Sequence, residues 1–126
     1  MGLVYADVRL ENLLRPDLAA VTVRALVDSG AINLCVPAEI ASQLDLKTRQ
    51  KRLAGMADGS TVEVDMVAPV TVSFENRETT TTAMVIGDEV LLGAIPMQDL
   101  DVLIDPRNER LVLPPDRPNF ALSKVK

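Results

Sequence analysis

The residues that could carry chemistry in this sequence lie in one short segment, residues 25–31, which reads Ala-Leu-Val-Asp-Ser-Gly-Ala. A strand buries Leu26 and Val27 readily, whereas an ionised Asp28 at its end is costly to desolvate unless another group pairs with it. Gly30 permits a sharp turn and a close approach by other backbone. The segment has the form of a catalytic carboxylate held by a rigid strand, although the same three residue types also form ordinary turns.

Several kinds of catalytic site are excluded by residues that the sequence lacks. There is no histidine, so neither a Ser-His nor a Cys-His pair can exist within this chain. The single cysteine, Cys35, can form neither an internal disulfide nor the usual His/Cys zinc site. The six glycines are scattered and form no phosphate-binding loop. Hydrolytic chemistry would therefore depend on carboxylates, lysine or hydroxyl groups.

A second acidic group, Asp99, Asp101 and Asp105, surrounds a predicted short helix. Its spacing lacks the glycine and the terminal glutamate of a calcium-binding loop. We therefore expect no metal and no other cofactor.

Composition predicts one soluble globular domain. The 126 residues are 48% hydrophobic and 25% charged, and this length suffices to bury about two thirds of the unfolded surface. The net charge is −5, and we interpret the basic cluster Lys47, Arg49, Lys51 and Arg52 as a solvated loop, so nucleic acid is not expected as a partner.

No membrane association is expected either. No apolar run approaches the roughly 18 residues of a membrane span, and the N-terminus does not resemble a signal peptide. A single cysteine fits a reducing cytoplasm, which is the expected location.

The elements that must position Asp28 are mostly strands. Alternation predicts a strand over 2–10, and residues 18–27 form a β-branched-rich strand that ends at Asp28. The further predictions are a helix over 37–44, a hairpin over 53–74 that turns at 58–59, a second hairpin through 76, a buried strand over 89–92, a helix that begins at Pro96, an exit strand, a last strand over 107–113, and an extended tail over 114–126. The sum is a small closed, barrel-like sheet with two short helices.

The order of these features resembles the retropepsin-like aspartic proteases, the single-domain relatives of pepsin. Four segments match in order: 26–31 resembles the family's active-site strand and turn, 53–67 its flap hairpin, 90–93 its paired-hydrophobic-then-glycine strand, and 96–102 its short C-terminal helix. The sequence of residues 103–106, which follows the helix, is similar to the corresponding segment of bacterial members. The resemblance implies a small closed acid-protease barrel with a flap hairpin and one or two short helices, formed by residues 1–113.

Two positions depart from the pattern of many viral members, which pair an acid with an arginine there. In this sequence the two positions are Ile32 and Ala94, so both charges are absent together and neither is left unpaired. The flap tip, Asp58-Gly59, is also less glycine-rich than the viral pattern.

The resemblance implies a chemistry that needs two carboxylates, and this sequence has one Asp-Ser-Gly with an apolar approach. A symmetric homodimer would bring Asp28 beside its own copy, and the two would share one proton. One would act as general base on a water, and the other would protonate the leaving nitrogen. The resemblance implies that Asp28, Ser29 and Gly30 form the dyad and its turn. It implies that Ala31 and Ile32 line the cleft. It further implies a flap that covers an extended peptide, formed by Met56, Ala57, Asp58 and Gly59.

Three functions remain open at this stage. The first is an aspartic endopeptidase, and the second is a dimeric peptide-binding module that keeps the fold and cuts little. The third is a small β-domain that serves assembly alone, which would not need to bury a pair of carboxylates.

Overall fold

Nine strands and two short helices follow one another along residues 3–125, the part of the chain that the computed structural model describes. In chain order they are β1 (Val4–Asn12), β2 (Val21–Val27), β3 (Leu34–Val36), α1 (Ala38–Gln43), β4 (Lys47–Gly55), β5 (Thr61–Phe74), β6 (Arg77–Val85), β7 (Leu91–Leu92), α2 (Ala94–Leu100), β8 (Leu103–Asp105) and β9 (Arg110–Val112). Gly2, with which the predicted first strand begins, lies outside the described residues, as do Met1 and Lys126.

Six of the strands form a closed barrel. Their order is β1-β2-β7-β3-β6-β5, and pairing of β1 with β5 closes the ring. Strand β4 pairs only with the first part of β5, so these two strands extend from the barrel as a hairpin. Strands β8 and β9 pair with each other as a separate two-stranded sheet. The predicted fold class, mostly β with a closed barrel, a hairpin and short helices, is confirmed.

Aliphatic side chains fill the barrel, as the scarcity of aromatic residues requires. Strand β1 shows the alternation that produces this core, because Val4, Ala6, Val8 and Leu10 are buried and the residues between them are more exposed. Other fully buried aliphatic residues come from β3, β5, β7 and both helical segments: Leu34, Val36, Leu44, Val70, Val72, Leu92 and Leu100.

The basic cluster and the second helix differ from their predictions. The basic cluster over 47–52 is not a loop but most of strand β4, whose residues are nearly all exposed. The hairpin arm leaves the barrel, so nearly all of its side chains are exposed and the strand shows no apolar alternation. Helix α2 begins at Ala94 rather than Pro96, and it ends where Asp101 adopts a left-handed conformation (φ 54°).

Strand β3 was not predicted, and the last strand is shorter than expected, since residues 106–109 form a turn before Arg110. The tail beyond Leu113 has no regular secondary structure in the described residues, but it packs on the barrel. Asp101 accepts hydrogen bonds from the Arg117 guanidinium (2.8 Å from both Nε and Nη2) and from the Leu122 N–H (2.9 Å). The buried Arg77 also donates to the Arg117 carbonyl.

Candidate active site

Asp28 follows directly on β2 and is positioned by a parallel neighbour. Strand β2 pairs with β7, with Val27 opposite Leu92. The Leu26 N–H donates to the Val90 carbonyl (2.9 Å), and the Asp28 N–H donates to the Leu92 carbonyl (3.1 Å). The backbone of Asp28 is therefore fixed by a short buried strand, while its side chain is only partly buried.

The turn after Asp28 folds back onto the carboxylate. The Gly30 N–H donates to Asp28 Oδ1 (2.9 Å), and the Ala31 N–H donates to the Asp28 carbonyl (3.1 Å). A Cβ at Gly30 would lie 3.2 Å from Asp28 Oδ1, so glycine allows the closest approach. Among residues 3–125 no group donates to Oδ2, and Ser29 and Gly30 are exposed. One carboxylate oxygen is thus held by the turn and the other is available.

Gly93 braces this turn from behind. A Cβ at Gly93 would lie 2.3 Å from the Asn33 carbonyl oxygen and 2.8 Å from that of Ala31, so only glycine fits. Helix α2 starts immediately afterwards, and its first two N–H groups, those of Ala94 and Ile95, donate to the carbonyls of Ala31 (2.8 Å) and Ile32 (2.9 Å). The free N–H groups of the helix terminus are therefore satisfied by the active-site loop itself.

These backbone bonds also account for the two apolar departures from the viral pattern. The side chains of Ile32 and Ala94 are exposed, and Ile32 is 65% accessible. The loop and the helix are joined at these positions by main-chain hydrogen bonds, which need no side-chain charges.

The tip of the β4–β5 hairpin, from Met56 to Ser60, is a self-contained turn. The Met56 N–H donates to the Ser60 carbonyl (2.8 Å), and Gly59 has a positive φ of 87° that favours glycine. Asp58 Oδ1 accepts hydrogen bonds from the Ser60 hydroxyl (2.5 Å) and N–H (2.9 Å), and these bonds lower the pKa of Asp58 below its ordinary value. The Asp58 carboxylate is thus engaged within its own turn.

A groove of about 530 Å³ lies between this hairpin and the active-site loop. Four of the predicted site residues line it together: Gly30, Ala31, Ile32 and Met56. Asp28 and Ser29 precede these lining residues directly in the chain but are not part of the lining. Ala57, Asp58 and Gly59 are exposed at the hairpin tip, and the structure does not bring them into the groove wall.

Sequence reasoning missed most of the groove wall. The missed lining residues are Asn33, Cys35, Arg52, Leu53, Ala54, Gly55, Met84, Ile86, Leu91 and Ile95. Leu53, Ala54 and Gly55 lie in the predicted hairpin arm but were not assigned to the site, and Arg52 lies just before that arm. Met84 and Ile86 had no local signal, because the parallel pairing of β6 with β3 brings them to the groove.

Cys35 lines the groove but behaves as a packing residue. It is 7% accessible, and burial together with the negative charge of Asp28 raises the pKa of its thiol. A thiol with a raised pKa is a poor nucleophile at neutral pH.

Neither metal-binding clusters nor membrane spans were found in the described part of the chain. Within residues 3–125, no group of three or more His, Cys, Asp or Glu side chains is arranged to hold a metal ion. Neither helix in the same range has the length and apolar character to cross a membrane.

Comparison with known proteins points to one family. A family model described as gag-polyprotein putative aspartyl protease matches residues 17–113, which is most of the chain and contains the whole groove. No curated protein sequence matches the chain.

Three solved structures that match the chain come from a virus, a protozoan and a bacterium. The protease of EIAV, crystallised with an inhibitor, is 21% identical, with 79% of this chain and 88% of that chain covered and a TM-score of 0.58. The retroviral protease-like domain of Ddi1 from Leishmania major is 18% identical, with 91% and 90% covered and a TM-score of 0.60. A retropepsin-like aspartic protease from Rickettsia conorii is 22% identical, with 88% of both chains covered and a TM-score of 0.45.

Proposed function

The chain belongs to the gag-polyprotein putative aspartyl protease family, and from that premise we propose that it is an aspartic endopeptidase that acts as a homodimer. The observation that carries this proposal is the way in which the surrounding backbone holds Asp28. The residue is held at the end of β2 by the Leu92 carbonyl, its turn is braced by Gly93, and one of its carboxylate oxygens accepts no bond within residues 3–125.

A homodimer supplies the second carboxylate that this chemistry needs. The other Asp-Gly turn offers none, because Asp58 is engaged by Ser60 at the hairpin tip. Twofold symmetry places a residue on the axis beside its own copy, so two Asp28 side chains would form the pair. Two carboxylates in contact do not both ionise readily, and the pair would share one proton.

In the proposed mechanism the two Asp28 carboxyl groups divide the proton transfers. The ionised group accepts a proton from a bridging water, which attacks the peptide carbonyl. The protonated group donates a hydrogen bond to the carbonyl oxygen and then transfers its proton to the leaving nitrogen as the C–N bond breaks. Ser29 would hold the two turns together across the axis, and the hairpin around Met56 to Gly59 would close over an extended peptide and exclude water.

Cleavage of an unstructured peptide library below neutral pH tests the proposal. We expect wild type to cleave, a statine-type inhibitor to block cleavage, and Asp28→Asn to reduce the rate by a factor on the order of 10³ or more, because the asparagine cannot exchange the proton. Asp116→Asn is the matched control, since Asp116 is an exposed tail carboxylate. Equal cleavage by wild type and Asp28→Asn would overturn the assignment.

A peptide-binding module with little activity is the second candidate. The preformed groove favours it, because the groove walls exist in the single chain and binding of an extended peptide needs no proton transfer. Saturable peptide binding by wild type, with no cleavage at any pH between about 4 and 7, would select this candidate.

A further inference from the structure

The groove wall carries one charged side chain among the described residues. Of the lining residues, Arg52 alone is ionised at neutral pH, and the others are glycine, alanine, aliphatic residues, methionine, Asn33 and Cys35. Arg52 belongs to the basic cluster of β4, and the proposed mechanism gives this side chain no role.

The two faces of the β4–β5 hairpin separate Arg52 from its neighbour Lys51. Arg52 lies opposite Val64 in the register and is followed on the same face by Ala54, and both neighbours are buried, so this face is turned toward the body of the molecule. Lys51 lies on the opposite face, where its ammonium group contacts Asp65 (2.7 Å) and Glu63 (3.8 Å).

Arg52 contacts no acidic side chain within the part of the chain that the structure describes. Among residues 3–125 the ion pairs of β4 are those of Lys47 and Lys51, and none involves Arg52. In a molecule of net charge −5, a cation at an apolar groove with no counter-ion is ready to receive one from a ligand.

The surroundings would strengthen such an ion pair. Ile32 and Ile95 present exposed apolar surface to the same groove, with 65% and 44% of their surface accessible. A bound peptide would cover these side chains and exclude water from the guanidinium, and charges interact more strongly where water is excluded. The planar guanidinium can also bind a carboxylate through two parallel hydrogen bonds.

We propose that Arg52 is a specificity-determining residue that selects extended peptides carrying a glutamate or aspartate beside apolar residues. The inference rests on the proposed function for its site, since it assigns the substrate class of that groove. It requires only that peptides bind there, so it is tested separately from cleavage.

The first test measures binding with catalysis removed. Asp28→Asn protein is titrated with peptides that share an apolar core and carry Glu, Gln or Lys at each flanking position in turn. We expect one position at which the Glu peptide binds about fivefold more tightly than the Gln peptide, which corresponds to about 1 kcal/mol. Adding Arg52→Gln should abolish that preference, and Arg52→Glu should transfer it to the Lys peptide.

Lys51→Gln is the matched control, because it removes the same charge from the neighbouring residue on the opposite face. It should leave the Glu preference intact. An equal loss with Lys51→Gln and Arg52→Gln would show only a long-range effect of charge and would overturn the proposal. Equal binding of the Glu and Gln peptides by the parent protein, or no binding of either, would overturn it as well.

Cleavage and self-association complete the design. In protein that retains Asp28, Arg52→Gln should lower the kcat/KM of the Glu peptide about fivefold relative to the kcat/KM of the Gln peptide. Cleavage without any Glu preference would overturn the role of Arg52 alone, whereas a Glu preference in binding without cleavage would overturn the endopeptidase alone. If Arg52→Gln weakened self-association in sedimentation and left peptide selectivity unchanged, Arg52 would pair with a second copy and the proposal would fail.

Discussion

At the scale of single residues, the position of Asp28 depends on the absence of a side chain at Gly93. A Cβ at Gly93 would meet two main-chain carbonyl oxygens at 2.3 and 2.8 Å, and main-chain atoms cannot rotate away as side-chain ends can. The active-site turn and the first turn of α2 would have to separate. Gly93 therefore couples the packing of the barrel to the geometry of Asp28.

We expect Gly93→Ala to lower the free energy of unfolding by about 3 kcal/mol, at the upper end of the cost of overpacking. Denaturant unfolding measures the change. Gly55→Ala is the matched control, because a Cβ there meets nothing within 4 Å, and its stability should stay within about 0.5 kcal/mol of wild type. A Gly93→Ala protein as stable as wild type would show that the turn after Asp28 does not require glycine at position 93.

The sequence reveals Asp28 but not the contact that holds it. An acid after an apolar strand and before glycine is a local pattern, and the structure has β2 ending at Val27 as the pattern predicts. The need for glycine at position 93 arises from residues 31–33, which lie some sixty residues earlier in the chain. Such a contact has no local signature, because it depends on the pairing of β2 with β7.

At the scale of elements, strands β1 and β4 show how burial of one face governs what the sequence can predict. Strand β1 alternates in burial and was predicted, whereas β4 is exposed along almost all of its length and was interpreted as a loop. Its charged side chains suit a strand with a free edge, since charge discourages pairing with other chains. The same exposure leaves Arg52 available to a ligand.

The tail, residues 114–125, is held in place by hydrogen bonds to one carboxylate. Asp101 receives two hydrogen bonds from Arg117 and one from the Leu122 N–H, and the side chain is 14% accessible. The bonds from Arg117 are the main cause that lowers the pKa of Asp101 well below its ordinary value. The attachment of the tail should therefore depend on pH.

We expect the tail to detach in acid. A carboxylate whose pKa is lower in the folded state contributes stability above its unfolded pKa of about 4, and this contribution is lost as the pH falls toward the lowered value. The protection of residues 114–125 against hydrogen exchange, taken relative to the intrinsic exchange rate at each pH, should fall over that range. The Leu122 amide reports most directly, because Asp101 is its acceptor.

Asp101→Asn should produce the detached tail at neutral pH, since an amide cannot accept both guanidinium bonds. Asparagine also tolerates the left-handed backbone at this position, so the substitution isolates the loss of charge. Asp116→Asn is the matched control, because Asp116 also contacts Arg117 but is 76% accessible. Equal protection of the Leu122 amide in wild type and Asp101→Asn would contradict this account.

At the scale of the whole molecule, one closed barrel supplies one supported carboxylate. The ring of six strands leaves no second copy of the β2–β7 pair within the described residues, so the fold has no internal counterpart of Asp28. If the chemistry requires two carboxylates, the complete site forms only between two molecules. The oligomeric state then sets the activity, which gives a quantitative test.

Wild type mixed with an equal amount of Asp28→Asn protein should lose more activity than dilution explains. If subunits exchange freely and a mixed pair is inactive, about one quarter of the dimers carry two aspartates, so activity should fall to about half of that of the same wild-type protein alone. A sample assayed immediately after mixing, before exchange, is the control and should retain full wild-type activity. Activity that stays at the full wild-type value after prolonged incubation, at a concentration where sedimentation detects dimers that exchange subunits, would show that each chain acts alone. The single Asp28 would then need its partner group from within its own chain, and the proposed dyad would be wrong.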